Sequence, residues 1–144
     1  MKLDLLIITG IVIMFAISLP AAYSEMHASQ NKITLVVKYS DHTRIGYSFF
    51  INAKVFYTNQ NPGAKFDQYY GFISNAKITA KILDPNGVQV KSFSGLTDNH
   101  GYYYQTFRIA DNTRLGKYSV VVYAQSGDST DSKKLVLFIQ HKPY

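Results

Sequence analysis

The chain of 144 residues has the length of one domain, and its hydrophobic share of 47% against a charged share of 17% is that of a folded protein, not a disordered tail. Its 15 Lys and Arg against 9 Asp and Glu leave a net charge of +6, but the basic residues are scattered singly apart from Lys133-Lys134, so no block suited to nucleic acid is present. Cysteine is absent, which excludes disulfide staples, thiolate-bound metals and a thiol nucleophile.

Residues 1–24, MKLDLLIITGIVIMFAISLPAAYS, carry the three parts of a secretory signal peptide. Lys2 and the amino terminus give positive charge, Leu5 to Leu19 is an apolar run ended by Pro20, and Ala22 and Ser24 are small residues ahead of a cut before Glu25. A cleaved signal helix is expected. The alternative is an uncleaved anchor, because the run extended to Tyr23 approaches the roughly 20 residues that span a bilayer. Either way the folded part is expected beyond the cytoplasmic membrane, extracellular or in the cell envelope, touching lipid only through this segment if it is kept. Glu25–Asn31 (EMHASQN) has no periodicity and reads as a flexible leader to a domain over 32–141.

From Lys32 the side chains alternate. Ile33, Leu35, Val37 and Tyr39 share one face of a first strand, and Ser40 to Gly46 (SDHTRIG) reads as a polar turn. Tyr47–Tyr57 alternates over eleven residues, with Phe49, Ile51, Ala53, Val55 and Tyr57 inward and Ser48, Asn52 and Lys54 outward. Thr58–Asn75 is the longest interruption, opening on Asn59-Gln60-Asn61-Pro62-Gly63 and continuing as KFDQYYGFISN. A connection this long exceeds the usual two to six residues and is functional in many folds. Its aromatics either offer a contact surface, fold back to cover an open end of the sandwich, or form a short extra strand.

Ala76, Ile78, Ala80 and Ile82 alternate with Lys77, Thr79 and Lys81, and the turn Asp84-Pro85-Asn86-Gly87 returns the chain through Val88 and Val90. After Gly95 and the polar loop Thr97–Gly101, Tyr103, Gln105, Phe107 and Ile109 form an inward row, with Tyr102, Tyr104, Thr106 and Arg108 opposite. Leu115-Gly116-Lys117-Tyr118 leads into Tyr118, Val120, Val122 and Ala124, and Lys133–Gln140 (KKLVLFIQ) reads as a last strand covered on both faces. The pattern predicts an all-β fold, an immunoglobulin-like antiparallel β-sandwich of about seven strands preceded by the signal helix.

The residues ILDPNG, LTDNHGYYYQTFRI and LGKYSVVVYA carry a resemblance. They are similar to the immunoglobulin-like repeats of prokaryotic surface proteins and the related macroglobulin-type domains, in which a strand ends in Asp-Pro-x-Gly, Thr-Asp-x-x-Gly opens the next, and Gly-x-Tyr the one after. The matching positions are Asp84, Pro85 and Gly87; Thr97, Asp98 and Gly101; Gly116 and Tyr118. The resemblance implies a sandwich serving as a spacer, an adhesion module or a subunit of a surface assembly.

No catalytic apparatus is visible. Glu25 is the sole glutamate, the aspartates sit mostly in turns, and neither Gly-x-Ser-x-Gly nor a phosphate-cradling glycine loop occurs. His27, His42, His100 and His141 form no metal-binding spacing, and Asp98, Asn99, Asp111 and Asn112 lack that of a calcium loop, so these groups read as turn formers and no metal or cofactor is expected. The sequence therefore predicts a non-enzymatic module working by contact with a protein or envelope component. Its expected contact surface is Lys65, Phe66, Tyr69, Tyr70 and Phe72. The alternatives are an assembly subunit, even a homo-oligomer, that adds Leu135–Ile139 or Ile33–Tyr39 to a neighbour's sheet, and a metal- or small-ligand-binding accessory domain.

Overall fold

The computed structural model describes residues 32–60 and 65–142. The expected signal segment 1–24, the leader 25–31 and the turn residues 61–64 lie outside the described residues. Among the described residues there are eight strands: β1 (Ile33–Tyr39), β2 (His42–Arg44), β3 (Ser48–Tyr57), β4 (Lys77–Leu83), β5 (Gln89–Leu96), β6 (Tyr102–Arg108), β7 (Gly116–Ser126) and β8 (Ser129–Gln140). They form a three-stranded sheet in the order β1-β3-β6 and a five-stranded sheet in the order β2-β8-β7-β4-β5. Every pairing is antiparallel except that of β2 with β8. Among the described residues no helix is long and apolar enough to cross a membrane.

Alternation decides which side chains meet. Phe49, Ile51, Ala53 and Val55 of β3 are fully buried, and opposite them lie Ile78, Ala80 and Ile82 of β4 with Tyr118, Val120 and Val122 of β7. Register reinforces the match: Ala80 stands beside Val122, and Val120 beside Leu135. Each large apolar side chain so buried contributes about 1.5–3 kcal/mol. Gly95 in β5 makes room for the Tyr103 ring, since a Cβ there would lie 2.5 Å from Tyr103 Cε2.

Two expectations are corrected. Ser40–Gly46 is more than a turn: the chain leaves β1, crosses to the other sheet and pairs His42–Arg44 in parallel with Phe138–Gln140. Thr43 is buried there and the His42 ring stacks on Phe138 at 4.9 Å. A three-residue polar strand is too short to show a period. The last strand, moreover, is covered on one face only. Leu137 and Ile139 are buried while Phe138 is 37% exposed, because a two-layer sandwich has no third layer to cover its outer side.

These pairings also bear on strand addition. The end of Leu135–Ile139 is already paired by β2. On β1 the outward N–H of Leu35 is taken by Asp131 Oδ2 at 2.7 Å, which blunts that edge.

Two connections share one device. Asp84 Oδ1 accepts the N–H groups of Asn86 and Val88, and Asp98 Oδ1 accepts those of His100 and Tyr102, each from two and four residues on. Gly87 and Gly101 close the turns at φ +81° and +74°, a left-handed backbone that a side chain would strain. The backbone N–H of Tyr102, and behind it that of His100, holds the Asp98 carboxyl below its ordinary range.

At the start of β7 the Tyr118 hydroxyl donates to the carbonyl of Arg114 at 2.8 Å, tying down the loop from β6. Burial raises the phenol pKa of Tyr118, and that of Tyr103, above the ordinary value of 10.0. In the unfolded chain both phenols release their protons near pH 10, whereas the folded chain retains them to higher pH. Stability is therefore expected to be level from neutral pH to about pH 10 and to fall as pH rises beyond it, measured by urea unfolding. Tyr118→Phe should lower stability by about 1 kcal/mol at neutral pH and flatten part of the alkaline decline.

Candidate functional site

The outer face of β3 carries Asn52, Lys54 and Phe56, and strict alternation places Lys54 in water. The structure does otherwise: Lys54 is 1% exposed. The chain from Lys65 to Phe72 lies over it. Lys54 Nζ donates to the carbonyls of Phe66 and Gln68 and to the Tyr102 hydroxyl at 3.0 Å. The ring of Tyr102 stands 4.3 Å from the ammonium and that of Phe56 5.0 Å, with Tyr69 at 5.8 Å, so the charge also meets π faces. A buried ammonium is tolerated only when its three donors are matched, and here they are.

Backbone pairing carries the segment back to the sheet. Tyr57 N–H donates to the Gly71 carbonyl and Ile73 N–H to the Val55 carbonyl, each at 2.8 Å, and Phe56 and Phe72 form an isolated bridge. Residues 71–73 thus continue beside β3 the place that β6 occupies up to Lys54. Gly101 stands where the two meet, and a Cβ on it would lie 2.8 Å from that of Phe72. Thr97 closes the far end: its buried hydroxyl donates to the Ile73 carbonyl at 2.7 Å and accepts the Ala76 N–H at 2.9 Å.

The five residues expected at the surface divide. Phe66 is half-buried, tilted against the Tyr102 ring at 5.5 Å with Lys38 Nζ 4.5 Å above it, and Phe72 packs near His100. Both anchor the segment. Tyr69 and Tyr70 are 85% and 65% exposed, and Lys65 is exposed beside them. Lys65, Phe66, Gln68 and Tyr70 line, with the Lys38–Asp67 ion pair (3.0 Å), a shallow depression of about 480 Å³. Sequence reasoning missed Lys54 and Tyr102, although a lone lysine amid the apolar run of β3 was the available signal. Phe50, which sequence reasoning did not single out, and Tyr104, expected on the outward side, extend the aromatic character of this face with their exposed rings.

The polar groups considered for metal lie apart. Ile109 pairs with Tyr47, placing Asp111 and Asn112 at the Ser48 end of β3, with His42 near the same end. Gly101 pairs with Val55, placing Asp98, Asn99 and His100 toward the other end. Seven residues of extended strand separate these ends by roughly 23 Å, so neither His42 with His100 nor Asp98 with Asp111 can share an ion. Among the described residues no group of three or more His, Asp or Glu could hold a metal.

Replacing Lys54 with Met keeps the stem and removes the ammonium, leaving two carbonyls unmatched. A loss of about 1–3 kcal/mol is expected, together with faster proteolysis confined to residues 58–75. Uniform proteolytic resistance in Lys54→Met would mean that the ammonium does not hold this segment.

Comparison with known proteins places the fold. No curated protein sequence matches the chain. Among solved structures it is similar to Escherichia coli alpha-2-macroglobulin in its native conformation, with a TM-score of 0.55 at 10% identity, over 76% of this chain and 10% of that one. It is similar also to the Parabacteroides merdae β-glucuronidase, with a TM-score of 0.50 at 12% identity, over 80% of this chain and 14% of that one. At such identities the likeness concerns the sandwich alone. The MG2 domain model matches residues 51–136, from within β3 to within β8 and more than half of the 144 residues. The chain belongs to the MG2 family of macroglobulin-type domains.

Proposed function

We propose that this module is exported on its first 24 residues and acts without catalysis, by contact with a protein at the cell envelope. Tyr69 and Tyr70 form the tip of the contact. The observation that carries this reading is the exposure of both rings, 85% and 65%, on a segment whose backbone is held from beneath by a buried ammonium. Tyrosine offers large contact area with few rotatable bonds, and a segment ordered beforehand has less entropy to lose on binding. Lys65 and the Lys38–Asp67 pair supply the polar rim that such patches have. Phe66 and Phe72 act in support, by fixing where the tip stands.

The test is capture from intact envelopes with purified protein as bait, alongside the N-terminal residue of the native product. The double substitution Tyr69→Ala and Tyr70→Ala is expected to weaken capture about tenfold or more while changing stability by no more than about 0.5 kcal/mol. Undiminished capture, or unfolding of the variant, would count against the assignment. Glu25 as the native first residue would support export with cleavage, and recovery of the product from the cytosol would oppose it.

A further inference from the structure

A second site lies between the sheets, at the end where β4 stops and β6 hands over to β7. A cleft of about 530 Å³ opens there, a size typical of small-ligand sites. Its floor is the core itself: Ile82, Ile109, Tyr118 and Leu137, with the half-buried Phe107. Val90, 52% exposed, forms an apolar lip.

The rim carries the opposite chemistry. Lys91 lines it from β5 and Arg114 from the loop after β6, while the Arg108 guanidinium turns toward Gly46 and the Asp111 carboxylate. Among the described residues none of the three forms an ion pair, and neither guanidinium has a hydrogen-bond partner. Asp84 is the one carboxylate of the lining, and its Oδ1 is already engaged by the N–H groups of Asn86 and Val88. The Tyr118 hydroxyl holds the backbone of Arg114 at the edge of the cleft.

We propose that this cleft binds a single-tailed anionic amphiphile, a carboxylate at the end of an apolar chain. The tail lies between the sheets against Val90, Phe107 and the core residues beneath, and the carboxylate is met by Arg114 with Lys91 across the cleft. Guanidinium forks match a carboxylate with two parallel bonds, and the apolar floor removes the tail from water. A cationic head would add to a rim already positive, and a neutral one would leave Arg114 and Lys91 unmatched. The site shares no residue with the tyrosine tip and stands whether or not that tip binds a partner.

The test uses the full chain, titrated with dodecanoate below its micellar concentration and followed by amide chemical shifts, with dodecyltrimethylammonium as the opposite-head control. Saturable shifts confined to the neighbourhood of Ile82, Val90, Ile109 and Leu137 are expected for dodecanoate alone. Lys91→Ala and Arg114→Ala should each raise its Kd about tenfold. Val90→Trp, which fills the lip without altering charge, should abolish the shifts while leaving the rest of the spectrum folded. Equal binding of both heads, shifts elsewhere, no binding at all, or wild-type affinity in both charge-removing variants would overturn the proposal.

Discussion

The ammonium of Lys54 governs how this protein presents its surface. Taking a charge out of water is unfavourable by several kcal/mol unless each donor finds an acceptor. The acceptors here are two carbonyls of the segment above it and one hydroxyl of the sheet beside it. Segment and lysine therefore depend on each other. Without the segment the ammonium faces water and the outer side of β3 is bare; without the ammonium those two carbonyls point at an apolar floor. Such mutual dependence turns a long connection into a fixed feature of the molecule, from which Tyr69 and Tyr70 face outward.

The rest of the fold manages its backbone in the same economical way. Asp84 and Asp98 each satisfy two turn N–H groups with one oxygen, Asp131 covers an outward N–H of β1, and Thr97 serves a donor and an acceptor at once. Asp84, Asp98, Asp131 and Thr97 are thereby committed to holding a turn or an edge. At the cleft between the sheets the lining cations Lys91 and Arg114 stand beside apolar side chains without an ion-pair partner.

Membership of the MG2 family fixes the architecture, and the matched range includes the segment over Lys54. Structures sharing 10–12% identity agree in the sandwich, in which an apolar row at every second position suffices and the identity of each residue matters little. Outward positions answer to no such rule, so the tyrosine tip and the basic rim belong to this chain's own side chains.

The strands were legible because period two is written into residues that share a face: Phe49, Ile51, Ala53 and Val55 could only turn inward together. The turns were legible because Asp-x-x-Gly pairs a side-chain acceptor with the one residue that tolerates a left-handed backbone. Three things could not be read along the chain. His42–Arg44 becomes a strand only because β8, nearly a hundred residues later, offers it an edge. Phe66 and Phe72 differ from Tyr69 and Tyr70 in exposure because of what lies beneath them, and composition treats all four alike. Lys54 falls on the outer face just as alternation says, but whether an outer face meets water is decided by what the chain later lays across it. Local pattern determines the face to which a side chain points, and only the assembled fold decides what that face meets.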